Sequence, residues 1–97
     1  MIRSFASRGT EDVFNGIDSR AARRTCPAAL WKVARRKLDQ LDATVSLNAL
    51  RVPPGNQLEP LKKDRRGQHS IRINDQWRIC FSWTADGPTT VEIVDYH

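Results

Sequence analysis

His69-Ser70-Ile71-Arg72-Ile73-Asn74-Asp75-Gln76-Trp77-Arg78-Ile79-Cys80-Phe81-Ser82-Trp83 reads as two strands and a turn. Side chains two apart share one side of a strand. Ile71 and Ile73 therefore fall together, as do Trp77, Ile79, Phe81 and Trp83. The loop length decides how the two strands meet. A two-residue turn at Asn74-Asp75 sets Ile73 against Gln76 and Ile71 against Arg78, mixing apolar and charged residues on both faces. A three-residue loop, Asn74-Asp75-Gln76, pairs Ile73 with Trp77 and Ile71 with Ile79, which makes one apolar face. A slip of one residue would turn that whole apolar set to water, so the three-residue loop is expected.

The same register sets Arg72 directly opposite Arg78 on the other face. Like charges opposed across strands destabilise a sheet, so the two are either solvated or hold an anion. Ala85-Asp86-Gly87-Pro88 is strong turn chemistry and leads into a third strand. If Val91 and Ile93 join the apolar face, Glu92, Val94 and Tyr96 share the face of Arg78, with His97 at its edge.

Upstream residues supply cover for the apolar face. Ile2 to Phe5 suits an edge strand. Ser7 to Ile17 reads as a helix, with Thr10 as N-cap, Glu11 and Asp12 in the first turn, and Val13, Phe14 and Ile17 as its buried stripe. Asp18 to Arg24 reads as a polar connection. Thr25 to Asp42 is a second helix, capped by Thr25 and tolerating Pro27 in its first turn. Leu30, Ala34, Leu38, Leu41 and Val45 recur at helical spacing, with Trp31 beside them. A short turn through Leu47 and Leu50 follows, broken by Val52-Pro53-Pro54-Gly55-Asn56. Leu58 and Leu61 suggest a brief extended segment, and Lys62 to Gly67 a charged loop. The expected fold is α+β: a single domain over residues 1–97, an antiparallel sheet with two N-terminal helices packed on one face.

Composition narrows the function. The chain has 97 residues, 39% hydrophobic and 28% charged, as an ordinary globular domain has. No apolar run approaches the ~20 residues of a membrane helix. Met1 to Phe5 shows no secretory h-region, and Cys26 and Cys80 have no metal-type spacing, so a cytoplasmic protein with free thiols is expected. The net charge is +5, but unevenly spread. Residues 1–67 hold 14 Lys/Arg against 7 Asp/Glu, whereas residues 68–97 hold 2 against 4. The basic part clusters at Arg20-Arg23-Arg24, Lys32-Arg35-Arg36-Lys37 and Lys62-Lys63-Arg65-Arg66. Such a surface implies a polyanionic partner. Lys32 to Lys37 also suits a solvated helix face; Lys62 to Arg66 precedes the strand of Arg72 and is the better phosphate site.

The second half of the chain resembles the HigB branch of the RelE/ParE toxin superfamily. The resemblance is carried by Pro53-Pro54-Gly55-Asn56-Gln57-Leu58, by Leu61-Lys62 with Asp64 and Gly67, by Ser70 to Ile79, and by Val94-Asp95-Tyr96-His97. The opening Ile2-Arg3-Ser4-Phe5 is similar too. It implies a RelE-like microbial ribonuclease fold and a ribosome-dependent mRNA endonuclease that inhibits translation and growth. It also implies partners: the ribosome and mRNA, a helix-turn-helix antitoxin of the HigA type, and operator DNA reached only through that antitoxin. Lys62, Arg65 and Arg78 fall where such toxins hold the RNA backbone and the reacting phosphate. Asp95, Tyr96 and His97 fall at their active-site end. Glu59 stands where some relatives carry a histidine, three residues before the matching lysine.

Metal-free RNA cleavage needs a base for the ribose 2′-OH, an acid for the leaving 5′-oxygen, and cations for the phosphorane. His97 suits either proton transfer near neutral pH. Arg78, with Arg72, Lys62, Arg65 or Arg66, suits the phosphate, since guanidinium offers two parallel hydrogen bonds. Tyr96 suits orienting the 2′-OH or stacking on a base. Asp95 suits orienting His97 or a structural role, since its parity points to the other face. No cofactor or metal is expected, and the product expected is a 2′,3′-cyclic phosphate. Blander roles compete: a terminal histidine is commonly a frayed end, Trp77 and Trp83 share the core face, His69 reads as a satisfied core or edge histidine, and Cys80 as packing. The rival functions are a ParE-like DNA gyrase inhibitor that cuts nothing, because one fold hosts both, and a basic nucleic-acid-binding module without catalysis. The Arg78 and Asp95-Tyr96-His97 combination favours the nuclease.

Overall fold

The computed structural model of the protein describes residues 1–96; His97 lies outside the described residues. Among these, four antiparallel strands form one sheet in the order β1 (Glu59–Pro60), β2 (Gln68–Arg72), β3 (Trp77–Thr84) and β4 (Gly87–Asp95). The β2–β3 register is Ile71 to Ile79 and Arg72 to Arg78. The Ile73 amide donates to the Trp77 carbonyl at 2.9 Å, so the three-residue loop closes as expected. In β4, Ile93 pairs with Ile79 and Val94 with Arg78. The N-terminal segment is less regular than a strand. It lies parallel to β4 through a single bridge, Phe5 to Val91.

Among the described residues, three α-helices cover the apolar face: α1 (Arg8–Asn15), α2 (Arg20–Thr25) and α3 (Trp31–Ala43). Val13, Ala34, Leu38 and Leu41 from the helices meet Ile71, Ile79, Phe81, Val91 and Ile93 from the sheet in one core. In α1 the cap is Ser7 rather than Thr10: the Ser7 hydroxyl accepts from the Thr10 amide at 3.2 Å. Thr10 is buried, and its hydroxyl accepts from the Ile93 amide at 3.0 Å, tying α1 to β4. Gly16, at φ +73°, ends the helix: its amide reaches the Val13 carbonyl, and that of Ile17 reaches Asp12. Ile17 is thus past the helix and 49% exposed, not part of the stripe.

The expected connection over Asp18 to Arg24 is largely helical. Ser19 caps α2, accepting from the Ala22 amide at 3.0 Å and donating to the buried Asp12 carboxylate at 2.7 Å. Pro27 starts a separate 3-10 turn, Ala28–Leu30, instead of sitting inside one long helix. Cys26 is extended (φ −161°, ψ 162°), as a residue before proline prefers. Thr25 therefore closes α2, donating to the Ala21 carbonyl, and caps nothing. Val45 falls beyond the end of α3 and is 94% exposed, outside the stripe.

Gly9 lets α1 and α2 touch. A Cβ there would lie 1.7 Å from Thr25 Oγ1 and 2.4 Å from the Ala21 carbonyl oxygen. Alanine favours a helix over glycine by about 1 kcal/mol, but here the clash outweighs that gain. Gly9→Ala is expected to destabilise the fold by about 3 kcal/mol, read as a lowered thermal midpoint. A midpoint at or above that of the wild type would show that the helices separate freely.

Candidate nucleic-acid interface and active site

The α-helices pack on the apolar face, yet on the other face Ser70, Cys80 and Arg78 are also buried, and Arg78 there reaches the carbonyl of Gln57, which follows the 3-10 turn Pro54–Asn56. Strand alternation places Glu59, Ser70, Cys80 and Glu92 in one row across β1 to β4, and Arg72, Arg78 and Val94 in the next. Tyr96 follows with the same parity as Val94 and is 41% exposed.

Arg78 is the centre of this face, and its side chain is only 10% exposed. Nε donates to Ser70 Oγ at 2.8 Å, and Nη2 to the Gln57 carbonyl at 2.7 Å. Nη1 stands 3.7 Å from Glu59 Oε1, beyond hydrogen-bond length. The guanidinium carbon lies 5.7 Å from the Tyr96 ring centroid, within cation–π range. Burial is tolerable because two hydrogen bonds and a nearby carboxylate offset the charge.

Arg72 and Arg78, opposite in register, do not point to one anion. Arg72 pairs instead with Asp75 in the turn. Arg65, on the 3-10 turn Lys63–Arg65, donates to Gln68 at 3.2 Å and to Glu92 at 3.1 Å, which pins the basic loop onto the sheet. Lys62, Lys63 and Arg66 are exposed on that loop. Asp95 pairs in register with Trp77, on the parity of the apolar face as expected, and accepts from Gln76 at 3.1 Å. The Tyr96 amide donates to the Gln76 carbonyl at 2.7 Å, which holds Tyr96 to the β2–β3 loop. Arg78 and Tyr96 thus come together, Arg65 stands one row away beside Glu92, and Arg72 is engaged elsewhere. The expectation for His97 falls outside the described residues.

Cys80 lies inside this face. Burial pushes its thiol above the usual range, and Arg65 and Arg78, themselves opposed by Glu92 and Glu59, do not reverse it, so it stays a protonated packing group. Cys26 is buried as well, its thiol raised to about 11. Trp77 and Trp83 pack against the core. His69 stacks on Phe81, on the core side, but its buried Nδ1 has no hydrogen-bond partner among the described residues, so it is not fully satisfied. A groove of about 420 Å³ opens between the end of α1 and the start of α3, beside Trp31 and Arg35, on the helical side and away from Arg78. Among the described residues no three His, Cys, Asp or Glu side chains gather as a metal site, and no helix is long and apolar enough to cross a membrane.

Sequence reasoning missed two of the groups around Arg78. Ser70 carried a signal, since it alternates with Ile71 and shares parity with Arg78. Gln57 carried none: it contributes a backbone carbonyl, delivered by a left-handed φ of 47° that no side-chain pattern reports.

Comparisons with known proteins bear on the family and the fold. A family model described as the RelE-like toxin of the type II toxin–antitoxin system HigB matches residues 3–97. Toxin HigB-1 of Vibrio cholerae serotype O1 is 39% identical over 74 residues, covering 76% of this chain and 77% of that protein. An uncharacterised protein of Haemophilus influenzae is 42% identical over 57 residues, covering 59% of this chain and 56% of its own length. In fold, the chain is similar to a structure of the YoeB–YefM complex from Staphylococcus aureus, with a TM-score of 0.60 at 16% identity, covering 100% of this chain and 98% of that one.

Proposed function

The chain belongs to the RelE-like toxins of type II toxin–antitoxin systems of the HigB kind, and from that premise we propose that it cuts mRNA on the ribosome through the ribose 2′-OH, without a metal ion. Toxins of this family are mRNA endoribonucleases that inhibit translation and bind an antitoxin. The observation that carries the site is Arg78, held by Ser70 and Gln57 with Tyr96 at its flank.

In this reading Arg78 clamps the scissile phosphate and offsets charge on the phosphorane. Lys62, Lys63 and Arg66 grip the flanking backbone, and Tyr96 orients the attacking ribose or stacks on its base. Arg65 sets the loop against the sheet. Glu59, 47% exposed on its side chain and next to Nη1, takes the proton from the 2′-OH. The 2′-oxygen attacks phosphorus, the bond to the 5′-oxygen breaks, and His97 returns a proton to that leaving oxygen. Asp95, at the end of β4, orients the terminal histidine. The fragments are a 2′,3′-cyclic phosphate and a 5′-hydroxyl. The partner is a HigA-like helix-turn-helix antitoxin, through which the pair reaches operator DNA, and the site of action is the cytoplasm.

The test is cleavage of a ribosome-bound message followed by end-group analysis. Fragments should carry 2′,3′-cyclic phosphate and 5′-hydroxyl ends, and a 2′-deoxy nucleotide at the cut site should block cleavage. Fragments with 5′-phosphate ends, as metal-activated water would produce, would overturn the mechanism. An intact message together with inhibited DNA gyrase would overturn the function.

A further inference from the structure

We infer that Ser70 is a positioning residue for RNA cleavage: its buried hydroxyl fixes the rotation of the Arg78 guanidinium, so that one fork of donors is used up and the other is presented. The inference rests on the site proposed above. A guanidinium has five N–H donors arranged as a side-on fork, Nε with Nη2, and an end-on fork, Nη1 with Nη2. Ser70 Oγ takes Nε–H and the Gln57 carbonyl takes one Nη2–H, so the protein already engages both nitrogens of the side-on fork. The end-on fork is left to meet two phosphate oxygens. Glu59 is near that edge, but at 3.7 Å it does not close on it.

Ser70 is fully buried and lies in the row between Glu59 and Cys80. Water is therefore poorly placed to replace its hydroxyl. Without the hydroxyl, Nε–H loses its acceptor at a largely buried position. The strongest remaining attraction is the Glu59 carboxylate, and the guanidinium turns toward it. That closes the ion pair and withdraws the end-on fork from the phosphate. Glutamate at position 59 thus makes the hydroxyl at position 70 necessary.

The experiment is single-turnover cleavage of a ribosome-bound message by wild type, Ser70→Ala, Ser70→Thr and Arg78→Ala, with thermal unfolding of each protein. Ser70→Ala should lower the saturating rate by about 10- to 100-fold, the cost of a misplaced catalytic group. The half-saturating concentration should stay within about twofold, because ribosome and backbone contacts are untouched. Ser70→Thr, which keeps the hydroxyl, should recover most of the rate. A wild-type rate in Ser70→Ala beside an inactive Arg78→Ala would overturn the role of Ser70 and leave the site standing. A loss in Ser70→Ala that Ser70→Thr fails to restore at an unchanged midpoint would overturn it too. Wild-type cleavage by Arg78→Ala would instead sink the site itself.

Discussion

Arg78→Ala is expected to lower message cleavage by about 10²- to 10³-fold, the usual cost of removing one preorganised charge donor from a phosphoryl or acyl transition state. Arg78 is preorganised before RNA arrives, because Ser70 and Gln57 already hold it. Arg78→Lys should recover little. An ammonium is a point charge on a flexible stem and cannot fill one fork while presenting another. The alanine variant also leaves Ser70 Oγ and the Gln57 carbonyl without their donor, at about 1–3 kcal/mol. Rates are therefore compared below the unfolding transition of the variant, with circular dichroism as the control for folding. Cleavage within a few-fold of wild type in the folded Arg78→Ala protein would place the chemistry elsewhere.

Asn56→Ala is expected to lower stability by about 3–4 kcal/mol, the sum of several buried polar groups left without partners. Asn56 is fully buried where the chain turns from the helical layer toward β1. Its amide donates to the Leu50 carbonyl and to Gln40, both at 3.1 Å, and its oxygen accepts from Lys37. Burial lowers the Lys37 pKa, with Arg36 adding to the effect, so the ammonium depends on that acceptor. For a domain of this size the loss corresponds to a midpoint drop of roughly 12–30 °C. Asn56→Asp should recover only part of it: the carboxylate still accepts from Lys37 but repels the Leu50 carbonyl. A drop of less than a few degrees for Asn56→Ala would mean that water satisfies these groups and that the network is not structural.

The two variants separate two kinds of knowledge. Pro53 to Leu58 was legible as a motif of the resemblance, but not as a buried bracket. Asn56 reads as turn chemistry in sequence, because Asn after Pro-Pro-Gly is common in loops. Its burial follows from Lys37 and Gln40, about one helical turn apart on α3, converging on it from far along the chain. The helix α2 was missed for a related reason. Arg20–Thr25 has one buried residue, Ala22, and therefore no apolar period to read. The capping of Ser19 against Asp12 and the contact with Gly9 make it a helix, and neither is visible locally.

Strand alternation was enough to set the β2–β3 register, the apolar face, and the shared side of Arg78, Glu92 and Tyr96. Those follow from a period of two and the cost of turning six large apolar side chains to water. Alternation also put Arg72 against Arg78, but it was silent on where each guanidinium turns. That choice depends on acceptors brought near by folding: Asp75 in the turn for Arg72, and Ser70, Glu59 and the Gln57 carbonyl for Arg78. A side-chain pattern determines which face a charge occupies, because that is a property of the strand. Which partner it takes was decided only by tertiary structure, because the partners belong to other segments.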